Sequence, residues 1–256
     1  MDLIRVLDAD QDLGRLLDER AFGEARDRLI VPVVHLRRGP FSPWVVIGRG
    51  QPPPLGILVV DGLIAQRVRL RDKSGVTLVG AGDVVAPSDY HTGTVGIAET
   101  WTILESARMA ILDRDFERAA IDVPGVISGV VARVGRTSHG LALQRALSQI
   151  PYLSTRLLLF LWFIGDRWGK VGALGVTIPL RLSHSLLAEL LGARRSSVTL
   201  AVGELERHGR VSRAGGRFTL HGSPPEEITS GSHSVAAAWS GADKALQTAG
   251  WIPRSA

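Results

Sequence analysis

The sequence predicts an α+β protein, in which an all-β domain precedes a long helix and a small helical domain. The first observation is a series of short β-like runs, broken by Gly and Pro, over residues 1–112. The second is a helical pattern over 113–150, and the third is a set of short helices followed by a Gly-containing hairpin over 151–222. The tail, 223–256, is rich in Ser, Gly, Pro and Ala and is expected to be mobile.

The composition limits the class of protein. The chain has 256 residues, 45% of them hydrophobic, which is enough to bury a sizeable core. It has no cysteine, which excludes disulfides, thiolate metal sites and cysteine-ligated iron–sulfur clusters. The N-terminus carries acidic residues, and the most apolar run, 157–164, is far shorter than the roughly 20 residues that span a bilayer. We therefore expect a cytoplasmic protein that does not enter a membrane.

The first domain is predicted to be a β-barrel or sandwich. Its apolar runs are rich in Val, Ile and Leu and are separated by Gly, Pro and polar residues, as is typical of these folds. The runs read "RLIVPVVHL", "PWVVIG", "LGILVVDG", "LIAQRVRL", "VTLVGAG" and "TWTILESARMAIL".

A long helix is predicted to follow, with Pro124 in its first turn and its end near residue 150. Apolar positions step along it by three and four residues, at Ile127, Val130, Val134, Thr137 and Leu141. A narrow stripe of this kind pairs with its twin in a homodimer. It could instead pack on the barrel of its own chain, and the pattern leaves both arrangements open.

Positive charge is concentrated near the C-terminal end of the helical domain. Residues 180–222 include seven arginines and three acidic residues. Their excess charge of +4 accounts for most of the net charge of +5 of the whole chain. A local basic face of this kind suits a polyanion partner.

The stretch 183–209, "SHSLLAELLGARRSSVTLAVGELERHG", predicts two helices joined by a short turn. Ser183 is a suitable N-cap, and Gly192 ends the first helix. The second helix is predicted to bury Val198, Ala201, Val202 and Leu205, which lie at i, i+3, i+4 and i+7. The opposite face is small and free of acids, with Ser196, Thr199, Leu200 and Gly203.

A helix-turn-helix of this form can place its second helix in the major groove of DNA. The free N–H groups at the helix start favour phosphate, and an arginine fork matches guanine. A leucine on this face can touch a thymine methyl group, and the hairpin that follows is predicted to be a wing on the DNA backbone. The predicted contacts are Arg194, Arg195, Ser196, Ser197, Thr199 and Leu200 from the helix, and Arg213 and Arg217 from the wing.

These residues resemble the winged-helix module of the Crp/Fnr family of bacterial transcription regulators. The matching pieces are Leu187-Ala188, Leu191-Gly192, Arg195, Val198, Leu205 and Gly209. Upstream, "LGILVVDGLIAQRV" and Gly82-Asp83 resemble strands and a turn of the family's barrel. The resemblance implies a jelly-roll barrel of the cyclic-nucleotide-binding type, a dimer through the helix 124–150 and a winged helix-turn-helix. It also implies double-stranded DNA and RNA polymerase as partners.

The chain departs from the family pattern in the helix and in the effector region. The base-reading Glu of the family is Ser196 here and its second Arg is Leu200, so Arg195 alone carries over as a guanine contact. No Arg or Lys occurs between Ser74 and Ala107, where cyclic-nucleotide-binding members carry one. A cyclic phosphate would meet carboxylates and no guanidinium there. We expect no control by cyclic AMP in the usual way, and either a different small-molecule effector or none.

No cofactor, metal or catalytic site is predicted. His91 and His139 are the conceivable haem ligands, but each is isolated in the sequence, and haem is not expected. The chain has no Gly-x-Ser-x-Gly elbow, P-loop or metal-spaced histidine pair, so an enzyme is not expected. The remaining alternative is a protein-interaction module that binds no DNA. Its affinity for a partner would depend less on salt than binding to DNA does.

Overall fold

The computed structural model of the chain describes residues 2–47, 54–71, 73–85 and 98–225. The chain divides into two compact units. The first contains residues 1–149 with 184–195, and the second contains residues 150–183 with 196 onwards. The predicted α+β class is confirmed, since both units combine helices with an antiparallel sheet. In the described ranges, no helix has the length and apolar character that crossing a membrane requires.

An antiparallel sheet of seven strands forms the centre of the first unit. The strands are β1 (Asp2–Arg5), β2 (Ile30–Leu36), β3 (Gly39–Phe41), β4 (Gly56–Leu70), β5 (Lys73–Gly80), β6 (Val84–Val85) and β7 (Ala98–Leu112). Their order is β1-β2-β7-β4-β5, with β3 also paired to β7 and β6 also paired to β4. The two long central strands, β4 and β7, bury a cluster of apolar side chains that includes Ile57, Val59, Ile64, Ile103 and Met109.

Helices occupy most of the N-terminal segment, where the sequence predicts only a β-domain. They are α1 (Val6–Ala9), a 3-10 turn at Gln11–Gly14 and α2 (Glu19–Arg28). Asp18 caps α2, because its side chain accepts a hydrogen bond from the Ala21 N–H. These elements contribute Val6, Leu7, Leu13, Ala25 and Leu29 to a second buried cluster.

Two strand predictions are wrong: one strand was divided into two, and one predicted strand is a helix. "LGILVVDG" and "LIAQRVRL" are halves of the single strand β4, whose register with β7 shifts between Val59 and Ile64. Gly62 lies within this irregularity at a φ of +97°, and a Cβ there would meet Ala107 Cα at 2.5 Å. The Asp-Gly pair therefore marks a bulge rather than a turn. "PWVVIG" forms a short helix, α3 (Pro43–Ile47), with proline at its first position.

The predicted helical region is confirmed as α4 (Arg114–Ala120) and α5 (Pro124–Ser148). Asp113 caps α4 by accepting from two backbone N–H groups. The residues of the predicted apolar stripe along α5 differ in how far they are buried. Val130 is buried, Ile127 and Val134 pack against the core of the first unit, and Thr137 is half-buried. Leu141 remains 48% exposed, so the stripe packs on its own chain in its first half and is exposed at its end.

The second unit begins with α6 (Leu153–Trp168), which the sequence predicts from Pro151 onwards. A four-stranded sheet of order β10-β11-β9-β8 belongs to the same unit. Its strands are β8 (Lys170–Gly172), β9 (Gly175–Thr177), β10 (Val211–Ala214) and β11 (Arg217–Leu220). The predicted wing is the β10–β11 hairpin, and the β8–β9 hairpin was not predicted. Gly175 has a φ of +123°, and a side chain there would collide with the Leu220 carbonyl oxygen.

A buried arginine connects three segments of the first unit. Arg133 of α5 is only 4% exposed. One of its Nη atoms donates to the Gly82 carbonyl at 2.6 Å, and the other donates to Asp10 Oδ1 at 2.7 Å. Gly82 has a φ of +81° and lies in the turn in which the Asp83 N–H donates to the Gly80 carbonyl. The long helix is thereby attached to the N-terminal segment and to the turn before β6.

We expect Arg133→Leu to lower the free energy of unfolding by about 3–5 kcal/mol, because it leaves the Asp10 carboxylate buried without its partner. Replacing both Arg133 and Asp10 by leucine should recover most of this loss. Urea denaturation followed by circular dichroism measures both values. As a control, Arg20→Ala breaks a pair with Glu24 whose side chains are 90% and 66% exposed. That change should cost less than about 0.5 kcal/mol, and equal losses from Arg133→Leu and Arg20→Ala would contradict the prediction.

Candidate nucleic-acid interface

Two helices form the predicted helix-turn-helix, α7 (His184–Leu191) and α8 (Arg195–Arg207). The turn between them is residues 192–194, so the predicted spacing is confirmed. Ser183 stands directly before α7, at the N-cap position. The apolar side chains that the sequence assigns to the inner face of α7 are buried at Leu186, Leu187 and Leu191, and Leu190 is half-buried.

Glycine in the left-handed conformation ends each helix. Gly192 has a φ of +60°, and the Ala193 N–H beyond it donates to the Ala188 carbonyl at 2.9 Å. This is the bonding pattern of the Schellman motif, which favours glycine because left-handed backbone brings a Cβ too close to the carbonyl. Gly209 repeats the motif after α8 with a φ of +64°. Both helix ends are therefore fixed by backbone geometry.

Helix α8 has one buried face and one exposed face. The four predicted core positions, Val198, Ala201, Val202 and Leu205, are at most 5% exposed. On the opposite face, Ser196, Thr199 and Leu200 are exposed and Gly203 is half-buried. Leu200 is 75% exposed, which is unusual beside the near-complete burial of the other large apolar side chains of α8. The prediction of the two faces is confirmed.

The first turn of α8 presents positive charge. Arg195 is its first residue and Arg194 precedes it, and both are exposed. Ser196 is exposed, Ser197 is half-buried, and no acidic residue lies in this turn. The first N–H groups of a helix have no partner within it and carry a partial positive charge. The guanidinium groups and the helix dipole therefore both favour binding of an anion at the N-terminal end of α8.

Arg207 extends the exposed face of α8 and was missed by the sequence reasoning. Ser196, Leu200, Gly203 and Arg207 step along the helix by four, three and four residues, so they form one stripe. Arg207 is exposed at the end of this stripe. Continuing the helical spacing one turn beyond Gly203 would have found it.

The two predicted wing arginines differ in their surroundings. Arg213 is exposed on β10, beside the tight turn formed by Gly215 and Gly216, whose φ angles are +58° and +81°. Arg217 is also exposed, but its Nε donates to the Pro179 carbonyl at 2.8 Å. The guanidinium of Arg217 therefore stabilises the base of the wing.

His221 links the wing to the β8–β9 turn, a role that no local sequence pattern indicates. Its Nδ1 lies 2.7 Å from the Leu174 carbonyl oxygen and its Nε2 lies 2.8 Å from the Ser212 hydroxyl. A carbonyl only accepts, so Nδ1 carries the proton and Nε2 accepts from Ser212 in the neutral ring. Ser212 is next to Arg213, so this histidine helps to set the position of the wing arginine.

The effector region is described only in part. Tyr90 and His91 lie outside the described residues, and His139 is exposed on α5. The segment after Asp83, where the sequence predicts that a cyclic phosphate would meet no guanidinium, lies mostly outside the described residues. In the turn before it, Arg133 of α5 donates to the Gly82 carbonyl. Its charge is compensated by Asp10, however, with 2.7 Å between Nη1 and Oδ2. Within the described ranges, no three His, Asp or Glu side chains cluster as metal ligands would.

Comparison with known proteins decides the nature of the helical domain. Its sequence matches the family described as the Crp-like helix-turn-helix domain over residues 155–222. Residues 155–222 are a Crp-like helix-turn-helix domain. The resemblance to the Crp/Fnr family predicted from the sequence is confirmed, and this domain contains α7, α8 and the wing.

Two curated relatives match a segment of about the same length. The regulatory protein CysR of Synechococcus elongatus is 35% identical over 71 residues, which are 27% of this chain and 34% of CysR. The global nitrogen regulator of a Nostoc species is 35% identical over 69 residues, which are 27% of this chain and 31% of that protein. The matched segment thus spans about a third of either relative.

Solved structures extend the similarity to the fold of both units. A CooA variant from Carboxydothermus hydrogenoformans has a TM-score of 0.57 at 18% identity and covers 75% of this chain and 83% of its own. FixK2 from Bradyrhizobium japonicum has a TM-score of 0.57 at 17% identity, and the match covers 76% of this chain and 94% of FixK2. The predicted architecture, a cyclic-nucleotide-binding-like β-domain with a long helix and a winged helix-turn-helix, is confirmed as a fold.

The turn of the helix-turn-helix gives a prediction with a matched control. Gly192→Ala should destabilise the protein by about 1–2 kcal/mol, because alanine is disfavoured at a positive φ. Gly203→Ala makes the same chemical change inside α8, and neither site has an atom within 4 Å of the added Cβ. It should stabilise the protein by about 0.5–1 kcal/mol. Thermal unfolding of both variants checks the opposite signs, and equal shifts would contradict the prediction.

Proposed function

We propose that this chain is a sequence-specific DNA-binding regulator of transcription that acts as a homodimer in the cytoplasm. The observation that carries the proposal is the exposed stripe of α8, which follows a first turn with two arginines and no acidic residue and ends in Arg207. The Crp-like domain around this stripe, and the regulatory names of the two curated relatives, support the same function. Double-stranded DNA is the main partner, with RNA polymerase as the second.

In this proposal, α8 enters the major groove with its N-terminal turn foremost. The N–H groups of the first turn and the Arg194 guanidinium bind phosphate. Arg195 donates two hydrogen bonds to N7 and O6 of a guanine. Ser196, Ser197 and Thr199 add hydroxyl groups that bond to phosphates or base edges. The buried face of α8 keeps this register, because turning the helix would expose Val198 and its three apolar neighbours.

The wing contacts the neighbouring DNA backbone. Arg213 supplies the charge, and the bonds of His221 and Arg217 within the second unit hold the hairpin in place. Phosphate contacts of this kind add affinity and fix the orientation without reading sequence.

The long helix α5 is the proposed dimer contact. It is 25 residues long and leaves Val131 61% and Leu141 48% exposed. Burial of these apolar side chains against a second copy would remove them from water. A twofold dimer presents two α8 helices to half-sites whose centres lie about one helical turn apart.

Control by cyclic AMP is not part of the proposal. Arg133, the guanidinium that reaches the Gly82-Asp83 turn, is already bonded to Asp10 and to the Gly82 carbonyl. A cyclic phosphate would have to break a buried ion pair to recruit it. A different effector, or constitutive activity, is therefore favoured, and no haem or other cofactor is proposed.

Selection from random duplex DNA by the protein without added ligand tests the proposed function. Enrichment of an inverted repeat is the expected result. Binding should weaken steeply as salt is raised from about 50 to 200 mM, because phosphate contacts release counterions. No enrichment, together with salt-insensitive capture of a protein, would favour the interaction module instead.

Arg195→Ala should weaken binding to the selected site by about 1–3 kcal/mol and relax the preference at one base pair of each half-site. Electrophoretic mobility shifts on the selected duplex and on its single-base variants measure both effects. Arg20→Ala, which removes an exposed arginine from α2, is the matched control and should leave the affinity unchanged. An unchanged base preference in Arg195→Ala would contradict the assignment of α8 as the reading helix.

Isothermal titration with cyclic AMP up to millimolar concentration should give no saturable heat. The reason is the buried Arg133–Asp10 pair together with the lack of Arg or Lys between Ser74 and Ala107. The Asp10→Asn variant tests the role of the pair, since it removes the compensating charge. A saturable signal with the unaltered protein would overturn this part of the proposal.

A further inference from the structure

We propose that Leu200 makes this chain a reader of the 5-methyl group of a pyrimidine. Thymine would then be preferred at one position of each half-site, and 5-methylcytosine would be accepted there in its place. The inference rests on the proposed function, and it assigns a specific chemistry to a side chain that the fold itself does not use.

The exposure of Leu200 is the first observation. Its side chain is 75% exposed, whereas Val198, Ala201, Val202 and Leu205 of the same helix are at most 5% exposed. A single exposed leucine is common on protein surfaces and carries little information by itself. The position of this one is more informative, because it lies near the middle of the stripe formed by Ser196, Gly203 and Arg207.

The neighbours of Leu200 let it project from the helix. Ser196 lies four residues before it on the stripe, and Gly203 lies three residues after it. An added Cβ at Gly203 would have no atom within 4 Å, so the surface beside Leu200 is low and open. Leu200 is therefore the largest apolar group that the exposed stripe of α8 presents.

The charge around the stripe indicates which partner covers this leucine. Arg195 lies five residues before it and Arg207 seven residues after it, and both are exposed. Two acidic residues, Glu204 and Glu206, lie beside the stripe in the last turns of α8, but seven arginines outnumber three acidic residues over 180–222. This excess of positive charge favours a polyanion over an apolar protein surface. An apolar side chain between two cationic ones suits the floor of the major groove, where phosphates flank the base edges.

The chemistry of the groove then names the group that Leu200 contacts. An isobutyl side chain neither donates nor accepts a hydrogen bond, so it cannot read the polar atoms of the bases. The apolar group that base pairs present in the major groove is the C5-methyl group of thymine. 5-Methylcytosine carries a methyl group on the same ring atom, while uracil and cytosine carry hydrogen there.

The spacing along α8 places this methyl group relative to the guanine. Five residues of helix correspond to about 7.5 Å along the axis. Leu200 also lies about 140° around the helix from Arg195, so we expect the two side chains to contact different base pairs of the half-site.

Replacing each thymine of the selected duplex by deoxyuridine, one at a time, tests the inference. Deoxyuridine keeps the base pair and O4 and removes only the methyl group. We expect the Kd to rise about fourfold at one position per half-site, the change that corresponds to burial of one methyl group. In a second arm, that position carries a cytosine–guanine pair, and 5-methylation of the cytosine should lower the Kd by a similar factor.

The variant Leu200→Ala links the effect to the side chain. Its Kd should no longer respond to deoxyuridine at that position, and its melting temperature should match the wild type. Leu200→Asn serves as a second variant that keeps the length and branching of the side chain and removes its apolar end. Arg195→Ala should bind more weakly but retain the response to the methyl group.

Two results would overturn the inference: no thymine-to-uracil change that alters the Kd by more than twofold, or a methyl effect that persists in both Leu200 variants. If Arg195→Ala still weakens binding in that case, the proposed function stands and only the role of Leu200 is wrong. If the protein selects no DNA sequence either alone or with cell extract added as a source of effector, both are wrong.

Discussion

Burial of one apolar stripe on α8 is the constraint on which the candidate interface depends. Val198, Ala201, Val202 and Leu205 are almost completely removed from water, which fixes the rotation of the helix about its axis. Every property of the opposite face follows from that rotation. The glycine-terminated ends of α7 and α8 add the second constraint, since they set where each helix stops. The exposed face is thus defined by what the chain buries.

The first unit depends on a different interaction, the buried pair of Arg133 and Asp10. Its side chains are 5% and 12% exposed, and the same arginine also satisfies the Gly82 carbonyl. A buried ion pair contributes little net stability when compared with apolar packing, but losing one partner is costly. Its main effect is therefore to specify one arrangement of α5, the N-terminal segment and the Gly82-Asp83 turn. These bonds hold the long helix to the sheet domain.

Local patterns in the sequence predicted most of the helical part of the fold. The i, i+3, i+4 spacing in α8 and the glycines after α7 and α8 act over a few residues, and they were sufficient to place the helices and the wing. Prediction failed where contacts between distant residues decide the structure. Asp-Gly in β4 is a bulge because the register of β4 with β7 shifts there, and Arg133 reaches the Gly82 carbonyl from 51 residues away. The roles of His221 and Arg217 likewise depend on hydrogen bonds to Leu174 and Pro179.

The two hydrogen bonds of His221 have a consequence for the kinetics of binding. They join the end of β11 to the β8–β9 turn and to Ser212 of β10, so the hairpin is already ordered in the free protein. A segment that must become ordered on binding loses conformational entropy at that step, which weakens the complex. A wing with its shape already set avoids this loss. In the proposed complex, the wing would then meet the DNA backbone without a prior rearrangement of the chain.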